Sequence, residues 1–273
     1  MSQGRTLPED DDLLAQAHFD WERRRRRRLR LRRVASLVVV FGVWEVVGRL
    51  APPVTFASAS EMLEAFVDLV ATGVLSAAFA DSLRVMAIGY GVAILAGLSI
   101  GFVMGRLRTV NTMLDPYITV LLATPMAALI PVVLILFGLS ATARIVVVFL
   151  FVLPYIIVNT TLGVRTVHAR LMEVADSFLL TEWQRVRWIV IPHAAPAVMA
   201  GIRLGFGRAI IGMLLGEMLL LVVGVGGLLV RFRQEFATAN LFATVLGVLL
   251  VAVIGGAIIQ EADRRIRRAW PTS

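Results

Sequence analysis

Leu241-Phe-Ala-Thr-Val-Leu-Gly-Val-Leu-Leu-Val-Ala-Val-Ile-Gly-Gly-Ala-Ile-Ile259 is an unbroken run without one charged side chain. Wound as an α-helix, a run of that length reaches about 28 Å, close to the ~30 Å hydrocarbon layer of a bilayer. A helix that only fills the core of a soluble domain has no need of it. The run ends in Arg264, Arg265, Arg267 and Arg268, the cationic flank that holds a helix end in the cytosol. Working back along the chain, comparable runs lie at about 34–50, 82–105, 114–137, 143–163 and 197–223. The expected fold is therefore an all-α polytopic membrane protein with about six transmembrane helices and both termini cytosolic. Arg231 and Arg233, between the last two runs, depart mildly from that charge rule.

Composition agrees with lipid as the main solvent: 58% of residues are hydrophobic and 17% charged, and the mean hydropathy is +0.82. The chain has no Cys, which excludes disulfides, thiolate metal sites and Cys nucleophiles. A net charge of +8 raises the possibility of nucleic acid, but every basic residue is Arg and most flank apolar runs. Residues 1–33 read as a polar tail, acidic at Glu9 to Asp12 and ending in the block Arg23 to Arg28. Such a block anchors the N-terminus and meets anionic lipid headgroups. It lacks the interleaved aromatic residues that would stack on bases.

The run 34–50 carries Glu45 and Arg49, spaced to pair on one helix face, and no small-residue cleavage site follows it, so it reads as a retained span. Residues 51–81 have acidic but no basic residues and read as the far side, with an interfacial helix capped by Ser58 and Glu61. In the second span Ala93, Gly97, Gly101 and Gly105 form a ladder of small residues that lets helices approach closely. Pro125 and Pro131 interrupt the third. Either this is a kinked packing helix or it is a broken helix that places Thr124, Pro125 and Met126 on a translocation path.

Further polar residues in the spans carry two readings each. Asn159 in the fourth span either bonds across helices or meets a solute. Glu217, toward the outer end of the fifth, is a gate or subunit contact, or a carboxylate snorkelling to water. Arg203 and Arg208 favour an anion in the path or, for Arg203 above all, anchor the span. His168 and His193, without clustered carboxylates, make a poor metal site, and no cofactor is called for.

Between the fourth and fifth spans, 165–193 is polar and too short in apolar length to cross. Its centre is Glu173-Val-Ala-Asp-Ser-Phe-Leu-Leu-Thr-Glu-Trp-Gln-Arg-Val-Arg-Trp-Ile-Val-Ile-Pro192, read as two short helices joined by a bend and halting at Pro192. This segment resembles the EAA loop of ABC-importer permeases, with Glu173, Ala175 and Pro192 at matching positions. Val174 and Leu179 depart from the pattern, the second standing where the family usually has the Gly of the bend. From about residue 34 onward the chain is similar to the aliphatic sulfonate, taurine and nitrate group of binding-protein-dependent permeases. Phe56-Ala-Ser-Ala-Ser-Glu61, Thr124-Pro-Met-Ala-Ala-Leu-Ile-Pro131 and Asn159-Thr-Thr-Leu-Gly-Val-Arg165 carry that likeness.

The resemblance implies a type I importer (MetI-like) fold, with Glu173, Ala175, Ser177, Leu179, Trp183 and Pro192 in a loop that couples to an ATPase. It further implies an extracytoplasmic solute-binding protein and a second permease copy as partners, and no enzymatic activity in this chain. Without Lys the sequence cannot form the standard Gly-x-x-x-x-Gly-Lys phosphate loop, so nucleotide is handled elsewhere. The alternative is a self-sufficient secondary transporter or channel, which inverted repeats and paired intramembrane carboxylates would favour.

Overall fold

The computed structural model describes residues 35–269 apart from 37, 53, 168 and 222. The tail 1–33, Val34 and His168 lie outside the described residues. The chain separates into two compact units at Leu63 and Glu64. In the first, helix α1 (38–50) carries the anticipated pair, Arg49 Nε donating to Glu45 Oε1 at 2.6 Å. The same carboxylate accepts the Ser60 N–H at 3.0 Å and so ties α1 to the start of α2 (Ala59–Ala71). Ser58 and Glu61 form the expected capping box. The Glu61 N–H donates to Ser58 Oγ at 3.3 Å and the Ser58 N–H to Glu61 Oε2 at 2.8 Å.

The second unit is built on three helices: α3 (Val74–Arg106), the later α6 (Ala141–Arg165) and α9 (Ile191–Gly216). α6 is central, with α3 and α9 packed along most of its length. The α3 ladder explains how. A Cβ on Gly97 would lie 2.6 Å from Ile156 Cβ, one on Gly101 2.7 Å from the Ile157 carbonyl oxygen and one on Gly105 2.5 Å from Val164 Cβ. Only glycine lets the two backbones come this close. The paired numbers rise together, so α3 and α6 run parallel. Against α9 they run in opposition: Gly201 meets Asn159, Gly205 meets Val152 and Ile156, and Gly212 meets Phe151. α11 (Thr238–Ala269) returns antiparallel to α9, with Gly255 against the Phe206 ring and Asp263 3.7 Å from Arg203.

Parallel α3 and α6 require the chain between them to cross back. It does so as α4 (Arg108–Ala123), a 3-10 turn (Met126–Leu129) and α5 (Ile130–Phe137), with a bend of 96° at the break. α4 packs near Leu153 and Ile157 of α6, while α5 packs against Ala143, Val147 and Phe151. The two pieces therefore cover successive halves of one crossing. Pro125 precedes the 3-10 turn and Pro131 enters the first turn of α5, where the missing N–H removes no hydrogen bond.

Among the described residues four helices, Val74–Arg106, Ala141–Arg165, Glu182–Leu220 and Thr238–Ile266, are long and apolar enough to cross a membrane, and the bent pair, taken as one span, makes a fifth. Of the remaining expected span, 34–50, the described part is helical, as α1. The helix expected at 82–105 begins earlier, at Val74. Asp81, read from sequence as belonging to the polar far side, has its charge matched by Arg144 at 2.8 Å and does not end the helix. The segment after the fifth span is also helical, as α10 (Gly224–Gln234).

Candidate functional site

At the bundle end where α3 and α6 finish and α9 begins, the chain forms α7 (Ala169–Ser177) and α8 (Glu182–Arg185), the two short helices expected there. α7 closes with a Schellman motif. The Leu180 N–H donates to the Ala175 carbonyl and the Leu179 N–H to that of Asp176, both at 3.0 Å, with Leu179 at φ +52°. The positive φ that glycine supplies most cheaply is thus adopted by leucine. Thr181 starts α8 with a capping box, its N–H donating to Gln184 Oε1 at 2.8 Å. Arg185 fastens the two helices, reaching Asp176 at 2.7 Å and Glu182 at 3.2 Å, while Glu182 also pairs with Arg106 of α3 at 2.6 Å.

The predicted residues of this element divide by exposure. Ala175 is wholly buried, and Ser177 Oγ donates to the Glu173 carbonyl at 3.0 Å. Glu173, Leu179 and Trp183 project outward. With Phe178 and Trp188 they leave a projecting surface of one carboxylate and large apolar groups, Leu179 being 88% exposed.

Pro192 does not halt the segment as the sequence suggested. α8 passes through a π turn (Val186–Val190) straight into α9, and Pro192 falls in the first turn of α9. The wider turn, closed by the Ile191 N–H on the Val186 carbonyl, absorbs the bond that proline cannot make. The result is one helical run, Glu182–Leu220. An apolar cavity of about 520 Å³ lies behind its start, lined by Phe102, Thr160, Val190, Ala194 and Ile266 among others.

At the other end of that run, Glu217 opens a second π turn (Glu217–Leu221). Its side chain is fully buried, which rules out snorkelling. Oε2 accepts the Gly226 N–H at 2.9 Å, placing a carboxylate at the N-terminus of α10, where the helix dipole favours it. Oε1 lies 3.5 Å from Arg144 Nη1, and Ser82 Oγ accepts the Val225 N–H at 2.9 Å. One polar knot thus joins α3, α6, α9 and α10. Gly224 stands at φ +62° beside it, and a Cβ there would strike Ser82 and Glu217.

Arg144 and Ser82 escaped the sequence reading. A lone Arg near the start of an otherwise apolar run was the available signal, since such a charge needs a partner. Met126 packs into the same apolar cluster as Leu215 and Leu220, which flank Glu217, so the break in the third span and the knot are neighbours. Thr124 caps α4, its hydroxyl donating to the Val120 carbonyl at 2.7 Å, and Pro125 and Pro131 are exposed. Among the described residues Asn159 makes no bond across helices, and its Nδ2 donates to the Tyr155 carbonyl of its own helix at 2.8 Å. Arg203 answers Asp263, and Arg208 lies over the Tyr155 ring, 4.6 Å from its centroid.

The family model described as binding-protein-dependent transport system inner membrane component matches residues 93–268. The taurine transport system permease protein TauC of Escherichia coli is 25% identical, over 85% of this chain and 87% of that one. The nitrate import permease protein NrtB of Synechococcus elongatus is 28% identical, over 81% and 83%. In three dimensions the chain is similar to one from the MetNI methionine ABC transporter in an inward-facing conformation, with a TM-score of 0.55 and 18% identity, covering 70% of this chain and 93% of that one.

Proposed function

The chain belongs to the family of binding-protein-dependent transport system inner membrane components and is a permease subunit of an ABC importer, and on that footing we propose that α7 and α8 are the element through which a separate ATPase drives it. The solute is small, of the sulfonate, taurine or nitrate kind, and an extracytoplasmic binding protein delivers it. Two copies of the chain form the path, each docking one ATPase subunit on the cytosolic side.

The observation that carries this reading is the unbroken helical run from Glu182 to Leu220. A 39-residue run would extend for about 58 Å at the α-helical rise, long enough to connect the docking element with the Glu217 knot. A force applied at α8 is therefore delivered along a stiff element to the far end of the bundle. Arg185 and the Arg106–Glu182 pair keep α7, α8 and α3 together, so they move as a body. The π turns at the two ends of α9 are the places where this run can flex without losing its helical bonds. The broken third span beside Leu215 and Leu220 supplies the segment that such a movement would open.

Glu173 is the residue for the test, because it is exposed and its carboxylate has no partner among the described residues. Glu173→Arg should abolish co-purification of the ATPase from mild detergent while the chain still inserts. Normal complex formation and normal transport by that variant would remove α7 from the docking surface.

A further inference from the structure

The face shared by α6 and α9 carries one charge, Arg208, that no carboxylate among the described residues answers. Arg208 is exposed, and its guanidinium rests on the Tyr155 ring. Tyr155 lies near the middle of α6 (Ala141–Arg165), about 15–21 Å from either end at the helical rise. The guanidinium is therefore at mid-membrane depth.

Around it, Leu204, Gly207 and Ile211 of α9 and Val158 and Leu162 of α6 are exposed at i, i+3, i+4 spacings, giving one apolar stripe on each helix. No carboxylate among the described residues pairs with Arg208. Asp115 of α4 lines a pocket with Val158, Leu162 and Arg165 of α6 and forms no ion pair with Arg208.

An unpaired guanidinium midway through a bilayer is too costly to face lipid and marks an aqueous path. The neighbouring polar groups are mainly donors. Tyr155 Oη has no partner among the described residues, and Asn159, one turn along the same stripe, keeps one N–H free after donating the other to the Tyr155 carbonyl. A guanidinium fork with hydroxyl and amide donors beside it suits a small oxyanion.

We infer that Arg208, with Tyr155 beneath it and Asn159 alongside, is a subsite in the translocation path for the anionic head of the transported solute, a sulfonate or nitrate-type oxyanion. The inference rests on the permease reading above. The aromatic ring holds the guanidinium in the path, and the charge takes over the hydrogen bonds that the anion gives up on leaving its binding protein.

The test uses the full complex of permease, ATPase and binding protein in liposomes, with ethanesulfonate, taurine and nitrate as anionic probes and riboflavin as a neutral one. The wild type should take up at least one of the three anionic probes. Arg208→Gln should lower kcat/KM for that probe tenfold or more while the ATPase still co-purifies. Arg208→Lys should retain more of it, and Tyr155→Leu, which keeps the charge and removes its platform, should fall between. Uptake by Arg208→Gln within twofold of wild type, uptake of riboflavin alone by the wild type, or failure of Arg208→Gln to assemble would each overturn the subsite and leave the permease reading standing. A wild-type chain that brings down no ATPase would overturn the permease reading itself.

Discussion

Leu179 holds a backbone conformation that glycine would hold at less cost. An L-residue in the left-handed region pays roughly 1–2 kcal/mol, part of which glycine loses again through its freer unfolded chain. Leu179→Gly should therefore stabilise the bend by up to about 1 kcal/mol, and Leu179→Val, β-branched and stiffer, should weaken it. Thermal unfolding of the purified complex and amide exchange at Leu180, whose N–H closes the motif on Ala175, would show both effects. At the far end of the molecule Glu217 presents the opposite case, a side chain the fold cannot spare. Glu217→Ala leaves Arg144 its bond to Asp81 at 2.8 Å but takes the acceptor from the buried Gly226 N–H and the Ser82 hydroxyl, at about 1–3 kcal/mol for each group left unsatisfied, so the unfolding midpoint should fall. The double variant Arg144→Met with Glu217→Met leaves the same two donors without an acceptor and should recover little of that loss. Asp81, its side chain 48% exposed, can turn to water. A double variant as stable as the wild type would show that the knot is held by paired charge and not by these hydrogen bonds.

Among the elements, the contact of α3 with α6 is the one that a single methyl group can test. A Cβ at position 101 would lie 2.7 Å from a backbone carbonyl oxygen, whereas one at position 91 would meet nothing within 4 Å. Gly101→Ala should force the helices apart and reduce the yield of folded complex. Gly91→Ala should be neutral or gain up to about 1 kcal/mol from helix propensity. The ladder behind this prediction was legible because small residues at four-residue spacing have one strong physical use in a membrane helix. The apolar runs, the break at Pro125 and the two helices around Leu179 were legible for similar reasons of length, proline chemistry and polarity. Single residues are poor boundaries. Asp81 reads from sequence as part of the far side and Pro192 as a stop, yet Arg144 answers the first and a π turn accommodates the second. Neither remedy is visible in local sequence, since one comes from a residue 63 positions away and the other from a change of helical pitch. The capping box Thr181-Glu-Trp-Gln184 is visible in the sequence as a spacing and marks where α8 begins.

The molecule as a whole must present α7 and α8 to the cytosol for an ATPase to reach them. Helix directions within Glu64–Ser273 then fix the rest. The ends of α3, α6 and α11 share the face of α7 and α8, while the α5–α6 turn and the end of α10 lie opposite. The Arg block of the N-terminal tail is the strongest cationic flank in the sequence, and we propose a cytosolic side for it as well. That requires the run 34–50 to cross as a sixth span. The native chain has no Cys, so single substitutions report side without background. With a membrane-impermeant maleimide on intact cells stripped of their outer layers, Leu139→Cys and Gln234→Cys should label at once. Ser177→Cys, Arg264→Cys and Ser2→Cys should label only after permeabilisation. Immediate labelling at Ser2 alone would leave the five-helix arrangement intact and show that 34–50 does not span. The inverse pattern at Leu139 and Ser177 would turn the bundle over, set α7 and α8 on the wrong face for any ATPase, and with them the lever that connects α8 to Glu217.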